Sequence, residues 1–255
     1  MTAFDALAPD YDAEFTASQI ALHLRARVHQ RLRTRFASGS TVLELGCGTG
    51  EDAAFLAREG VQVIATDASI GMIDVARAKM AAHANVSFQA LDLNALDKPS
   101  FEKVQGVFSN FGVINCVRDR RALAGWLAKQ IPSGGTAAFG IMPPLCLWEM
   151  AWHAAHCDVR TAFRRLRGSL SFQINGGEPV MVDYPSVHTL TVEFAPYFRR
   201  VHVEPLGLLL PPTAVYASLE KRPGWMRRLT RWDDVLKAPF FANFADHYWI
   251  EFVRV

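Results

Sequence analysis

Two spacings of apolar residues share the first half of the chain. Over residues 18–36, Ile20, Leu24, Val28, Leu32 and Phe36 recur at every fourth position, which predicts one stripe of a helix. Residues 42–45 form a short apolar run that encloses one acid, Glu44, and predict a buried strand. Residues 52–59 predict a helix with Phe55 and Leu56 facing inward, Arg58 in its last turn and Gly60 as its stop. Residues 61–66 read as a second strand, after which Ser69 opens a helix through Ile73, Ala76 and Met80. A third strand is expected at 86–89 and a fourth at 104–108. A helix from Asp119, carrying Leu123, Trp126 and Leu127, ends at Pro132, and a fifth strand covers 136–142.

Strands that alternate with helices of ordinary length predict an α/β fold, a doubly wound parallel sheet with helices on both faces. Beyond Met142 the rhythm breaks. Pro143-Pro144 precedes a long helical pattern over 145–167, and two strand-like runs, 170–174 and 179–182, join through Asn175-Gly176-Gly177, a hairpin signal. A helix at 187–197, a strand at 200–204, a basic aromatic segment at 221–232 and a last strand at 248–253 follow. Residues 143–185 are expected to form an insertion over the ligand edge of the sheet.

Composition narrows the partners. Twenty-seven basic side chains against 25 acidic leave +2, too little to imply nucleic acid as an obligate partner. Five arginines, Arg25, Arg27, Arg31, Arg33 and Arg35, fall mostly off the apolar stripe of the first long helix and read as a solvated face. The four cysteines, Cys47, Cys116, Cys146 and Cys157, show no C-x-x-C spacing, so neither a zinc site nor a disulfide framework is expected. Free thiols and no signal peptide point to the cytoplasm. The most apolar short run, residues 206–210, stops at Pro211-Pro212 and is too short to span a bilayer.

The chemistry gathers at Val42-Leu43-Glu44-Leu45-Gly46-Cys47-Gly48-Thr49-Gly50, a strand, a tight turn and a helix start. Glycines there permit positive φ and let a ligand approach the backbone. The helix N-terminus behind them offers unpaired N–H groups. The dinucleotide fingerprint needs its third glycine one residue later than Gly50, and the Gly-Lys-Ser/Thr of the phosphate-binding loop is absent. The pattern Glu44-x-Gly46-x-Gly48-x-Gly50 resembles motif I of the class I S-adenosylmethionine-dependent methyltransferases. Asp67, Asp92 and Ser109-Asn110-Phe111 follow at the ends of the next three strands. With them the chain resembles small-molecule members of that superfamily, most specifically over residues 40–142.

The resemblance implies a mostly parallel seven-stranded sheet, the Rossmann-like methyltransferase fold, in one domain over 1–255. Residues 1–39 would form N-terminal lid helices, and 143–185 a cap insertion after strand five. It implies S-adenosylmethionine as cofactor. Gly46, Cys47, Gly48 and Gly50 would line its methionine part, with Glu44 supporting the turn. Asp67 would hold both ribose hydroxyls, since two carboxylate oxygens suit a cis-diol. Ala68 and Met72 would pack near the adenine, Asp92 and the Leu93 amide would meet its amino group, and Ser109, Asn110 and Phe111 would stand between cofactor and acceptor. Tyr11, in the Phe4-Asp5…Tyr11-Asp12 opening, would close over the cofactor, and Arg25 or Arg27 would pair with its carboxylate.

The loop after strand four lacks the Asn/Asp-Pro-Pro-Tyr/Phe of the amino-methylating DNA enzymes. Together with the near-neutral charge this favours a small organic acceptor over a nucleic-acid base. The alternatives are a nicotinamide-dependent oxidoreductase and a non-catalytic partner protein that keeps the fold. Trp148, Trp152, Ala155, Val159, Phe163 and Leu166 step by three or four and predict one apolar stripe, either core or the wall of an acceptor pocket. Glu149, His153, His156 and Cys157 share the next face. A metal is not expected there, and His153 or His156 is the candidate base, with Tyr11 as a further catalytic candidate.

Overall fold

The computed structural model describes residues 4–96, 101, 104–173, 179–212 and 223–255. Five strands run parallel in the first half: β1 (Thr41–Leu45), β2 (Gln62–Asp67), β3 (Val86–Ala90), β4 (Gly106–Ser109) and β5 (Thr136–Ile141). α1 (Gln19–Arg35) precedes β1, and the crossovers carry α2 (Glu51–Arg58), α3 (Ile70–Lys79) and α4 (Arg120–Gln130). The expected strand two, 61–66, and strand four, 104–108, each lie one or two residues further along.

After β5 come α5 (Leu147–Ala155), α6 (Val159–Ala162), a two-stranded antiparallel hairpin of β6 (Leu170–Phe172) and β7 (Val180–Val182), and α7 (Val187–Phe194). The chain ends with β8 (Phe198–Leu206), α8 (Pro223–Val235) and β9 (His247–Arg254). The expected turn Asn175-Gly176-Gly177 and Lys221-Arg222 lie outside the described residues. The large sheet has seven strands in the order β3-β2-β1-β4-β5-β9-β8, and β9 alone runs against the rest. This is the doubly wound, mostly parallel arrangement that the sequence predicts. Among the described residues no helix is long and apolar enough to cross a membrane.

Alternation along each strand sends neighbouring side chains to opposite faces. Leu43, Leu45, Val107, Phe139, Ile250 and Phe252 pack under α4 and α7 on one face. Val42, Val63, Ala65, Phe108, Ala138 and Trp249 pack under α1, α2 and α3 on the other. Burial on both faces is what parallel strands need, and it explains their continuous apolar runs.

Two expectations are corrected. The pattern over 145–167 is not one helix. It stops at Ala155, Cys157 takes a left-handed φ of 60°, and Asp158 caps α6 through the Thr161 amide at 3.0 Å. A strong N-cap restarts the chain in a new direction, so the apolar stripe never forms. A short 3-10 turn, Arg164–Arg167, follows.

The arginines of α1 are the second correction. Arg27 is buried, with Nη1 on Asp233 Oδ2 at 2.8 Å and Nη2 on the Pro205 carbonyl at 2.8 Å and on Glu204 Oε1 at 3.2 Å. Arg31 and Arg35 both donate to Glu251 in the middle of β9, at 2.8 and 2.6 Å. Of the five, Arg33 and Arg35 stay exposed, and Arg33 the more so in its side chain. Carboxylates on β8, β9 and α8 rise toward the face that α1 covers, and the periodicity of α1 alone does not reveal them.

Asp233 and Glu204 surround Arg27 in a buried site, so removing the guanidinium leaves two carboxylates short of a counter-charge. Arg27→Ala is expected to lower the unfolding free energy by about 3–5 kcal/mol. Urea denaturation at neutral pH checks this; a loss below about 1 kcal/mol would mean that the site repacks without its cation.

Candidate functional site

The turn after β1 is built on backbone geometry that side chains resist. Gly46, Gly48 and Gly50 take φ values of 71°, 51° and 85°. A Cβ at Gly46 would overlap the Val113 side chain. At Gly48 nothing lies within 4 Å of the same position, so this turn is open to a cavity. Asp67, at the end of β2, holds the turn: Oδ2 accepts the Gly48 amide and Oδ1 the Ser69 amide, both at 2.8 Å. Burial raises its pKa against the pull of those amides.

Two cavities meet at the carboxyl ends of the parallel strands, the edge at which open α/β sheets take their ligands. The larger, of about 520 Å³, is walled at one end by Gly46, Gly48, Asp67, Ala68, Met72 and Leu93. Its other end is walled by Cys116, Arg164, Phe172, Val180, Val182 and Tyr184. The smaller, of about 220 Å³, lies between α1 and the start of β9, with Phe15, Ile20, Leu24, Arg25, Asp246 and His247 in its wall. Tyr11, Phe111 and Met142 border both.

The Phe4-Asp5 and Tyr11-Asp12 pairs divide their labour. The aromatics face the larger cavity while the acids grip the protein. Asp5 Oδ1 accepts the Gly71 amide at 3.1 Å, and Asp12 Oδ2 takes Lys79 Nζ at 2.7 Å. Burial raises the Tyr11 pKa.

A polar cluster lies beneath the turn. Asp52, in the first turn of α2, binds Arg25 Nη1 at 2.7 Å, His29 Nε2 at 2.7 Å and Asn110 Nδ2 at 3.0 Å. Burial alone would raise its pKa, but Arg25, His29 and Asn110 outweigh it and hold the carboxyl well below the usual range. Glu44 goes the other way: buried, with Asp52 close by, it is pushed well above the usual carboxylate range, and its Oε2 has no partner among the described residues.

The remaining expected residues divide. Ala68, Met72 and Leu93 reach the larger cavity, but Asp92 is exposed and its Oδ1 caps the Asn94 amide at 2.8 Å. Ser109 is buried and donates to the Leu45 carbonyl at 2.7 Å. Asn110 supports Asp52 and the Phe111 amide, and Phe111, at φ 50°, is the member of that loop that faces both cavities. Cys47 packs in the core beneath α1.

Corrections follow for the arginine and the histidines. Arg25, not Arg27, faces a cavity, its guanidinium 4.7 Å from the Phe111 ring centre. His153 and His156 border neither cavity. His156 Nδ1 donates back to the Trp152 carbonyl at 2.8 Å, and His153 lies 3.8 Å from Asp158. Val159, Phe163 and Leu166 of the expected apolar stripe are exposed, because the helix that would have aligned them is broken.

Sequence reasoning passed over His247. Its Nδ1 lies 3.1 Å from Asp246 Oδ2, Asp246 Oδ1 accepts Arg165 Nη2 at 2.9 Å, and Arg165 Nη2 is 2.8 Å from Glu149 Oε2. A histidine opening a last strand carries no motif; only the antiparallel run of β9 brings it to the ligand edge.

Residues 42–135 match the family described as "Methyltransferase domain". Over 133 residues the chain is 32% identical to a demethylmenaquinone methyltransferase of Clavibacter sepedonicus, covering 51% of this chain and 53% of that protein. A second demethylmenaquinone methyltransferase, of Symbiobacterium thermophilum, is 38% identical over 104 residues, 38% of this chain and 40% of its own. The chain thus spans about half the length of the curated relatives it matches. Among solved structures, an S-adenosylmethionine-dependent methyltransferase from Mesorhizobium loti superposes with a TM-score of 0.59 at 16% identity, over 94% of this chain and 100% of that one, a likeness of fold.

The two buried acids respond to pH in opposite senses. Glu44, raised in the fold, contributes stability at low pH that is lost as pH rises through its folded pKa. Asp52, depressed, contributes stability above the ordinary carboxylate range that is lost as pH falls. Glu44→Gln should therefore be more stable than the parent at pH 7, the advantage fading by about pH 4. Asp52→Asn should be less stable at pH 7, with its deficit shrinking on acidification. Urea unfolding at pH 7 and about pH 4 reads the sign for Glu44→Gln, and at pH 7 and about pH 2.5 for Asp52→Asn; equal offsets at the two values for either variant would overturn its assignment.

Proposed function

We propose that this chain, whose residues 42–135 are a class I S-adenosylmethionine-dependent methyltransferase domain, transfers a methyl group to a small, largely apolar or aromatic acceptor. The observation that carries the reading is the joining of two unlike surfaces in one 520 Å³ cavity. A glycine turn with an acid at its side forms one end, and an apolar hairpin wall forms the other. S-adenosylmethionine supplies an electrophilic methyl on a sulfonium, so the protein has mainly to align and exclude water.

The residues fit that cofactor. Gly48 leaves open the space a Cβ would fill, and the Asp67 carboxylate stands beside it to accept from a cis-diol. Ala68, Met72 and Leu93 offer apolar contact for a purine. Arg25, at the N-terminal side, is the cation placed for a carboxylate. We assign residues 1–39 the part of a lid, with Phe4 and Tyr11 turned inward. We assign residues 143–185 the part of a cap whose hairpin, through Phe172, Val180, Val182 and Tyr184, forms the acceptor wall. The curated relatives are named for demethylmenaquinone, and a quinone ring suits such a wall. A small acceptor also agrees with a net charge of only +2.

Two substitutions test the cofactor end by calorimetry with S-adenosylmethionine. Asp67→Ala should weaken binding by about 1.5–3 kcal/mol, the range for hydrogen bonds to a charged group. Unchanged affinity in the folded variant would remove the ribose assignment. Gly48→Val should abolish binding, because its Cβ stands in the cavity with no protein atom within 4 Å and the φ of 51° resists a β-branched residue; circular dichroism checks that the variant still folds. Retained binding would place the cofactor elsewhere.

A further inference from the structure

β9 is the one strand that runs against the sheet, so its first residue stands where β1, β4 and β5 end. That residue is His247, and the register sets Ile141, next to Met142, against Tyr248, next to His247. The imidazole meets the ring of Phe111 edge-on, 5.8 Å between centres. It is therefore held over the ends of β4, β5 and β9, beside the residues that border both cavities.

Its two nitrogens are in different situations. Nδ1 is committed to Asp246, whose other oxygen and carbonyl receive Arg165 at 2.9 and 3.0 Å. Glu149 Oε2 accepts Arg165 Nε at 3.0 Å and closes the row. Histidine, carboxylate, guanidinium and carboxylate alternate, with Asp246, Arg165 and Glu149 all buried. Burial would raise the Asp246 pKa, but His247 and Arg165 overcome it and hold the carboxyl well below the usual range. Asp246 is thus an acceptor that fixes Nδ1 as the donor, leaving Nε2 as the basic nitrogen. Nε2 has no hydrogen-bond partner among the described residues, and the ring borders the 220 Å³ cavity.

Resting on the methyltransferase reading, we propose that His247 Nε2 is the general base for an acceptor with a weakly acidic hydroxyl, a phenol or an enol. Asp246 and Arg165 act as positioning residues. A neutral imidazole removes a proton most readily from a group of comparable acidity, which favours a phenol or an enol over a saturated alcohol. An acceptor seated against the hairpin wall extends past Phe111, which borders both cavities, into the 220 Å³ cavity, where Phe15, Ile20 and Leu24 suit an aromatic or conjugated body.

The step balances. The hydroxyl proton passes to Nε2, and an electron pair of the resulting anion, on oxygen or on the conjugated carbon, forms the bond to the methyl carbon. The carbon–sulfur pair stays on sulfur, which becomes a neutral thioether. Where carbon is the acceptor, that carbon then loses its own proton and the oxygen regains one, restoring the hydroxyl; the imidazolium releases its proton to solvent, so one proton leaves in either case.

The charged and titratable groups facing His247 are Asp246 on its own strand, Arg165 from the turn at 164–167, Arg25 from α1 and Tyr11 from the N-terminal segment. 2-Naphthol, whose ionised and neutral forms differ in absorbance and fluorescence, serves as the probe with the full chain. Bound to the parent protein it should ionise at least about one pH unit below free 2-naphthol, a tenfold shift in its acid constant. It should also move the His247 resonances in a histidine-resolved NMR titration. His247→Gln should return the ionisation of the probe to its free value. Asp246→Asn should move it partly back, as a positioning role requires; should that variant not fold, the glutamine variant alone decides. Failure of naphthol to bind, an unshifted ionisation in the parent, or a shift that survives His247→Gln overturns the proposal. S-adenosylmethionine calorimetry on the same samples separates the two readings. Cofactor binding without the naphthol effect sinks only the base, whereas loss of cofactor binding in the parent sinks the methyltransferase reading.

Discussion

The ion pair between Arg25 and Asp52, 2.7 Å long and buried, is the interaction on which the arrangement of the site depends. Asp52 belongs to the first turn of α2, directly behind the glycine turn, and Arg25 belongs to α1, which the N-terminal segment precedes. His29 and Asn110 complete the carboxylate's shell, so one side chain joins α1, α2 and the loop after β4. An anion near a helix N-terminus also finds a favourable field. α1, α2 and the loop after β4 are thereby fixed relative to one another, and with them the glycine turn that α2 follows.

The same compact cluster separates two carboxyls that lie close together. Asp52 has three polar partners and stays ionised, while Glu44 lacks a partner at Oε2 and favours its protonated form. Two buried acids near one arginine cannot both be fully compensated, and burial decides the one with fewer bonds. Glu44 also sits inside β1 with its carbonyl bonded by Thr66 Oγ1 at 2.7 Å, so its backbone is fixed whatever its charge.

A second row of alternating charge, from His247 through Asp246 and Arg165 to Glu149, joins β9 to the segment after β5. It ties α5 and the turn at 164–167 to the sheet beside the smaller cavity. The Arg25 cluster secures the turn end in the same way. Tyr11, Phe111 and Met142 stand between, and the apolar wall they share needs no polar contact of its own.

The order of elements, the parallel sheet and the glycine turn were legible in the chain, because each rests on local rules. Strand alternation, caps such as Ser69 and Asp119, and positive φ at Gly46, Gly48 and Gly50 act over a few residues. Asp67 and Phe111 were legible too, since strand ends in a doubly wound sheet share one edge. The solvated reading of Arg27 failed, and His247 was missed, for one reason. Whether a side chain meets a counter-charge, solvent or a cavity depends on elements more than a hundred residues away, as Arg27 with Asp233 shows. The break at Cys157 left Val159, Phe163 and Leu166 exposed, and the reversed run of β9 brought His247 to a cavity. Periodicity names the face a residue takes on its own helix or strand; only packing names what that face meets.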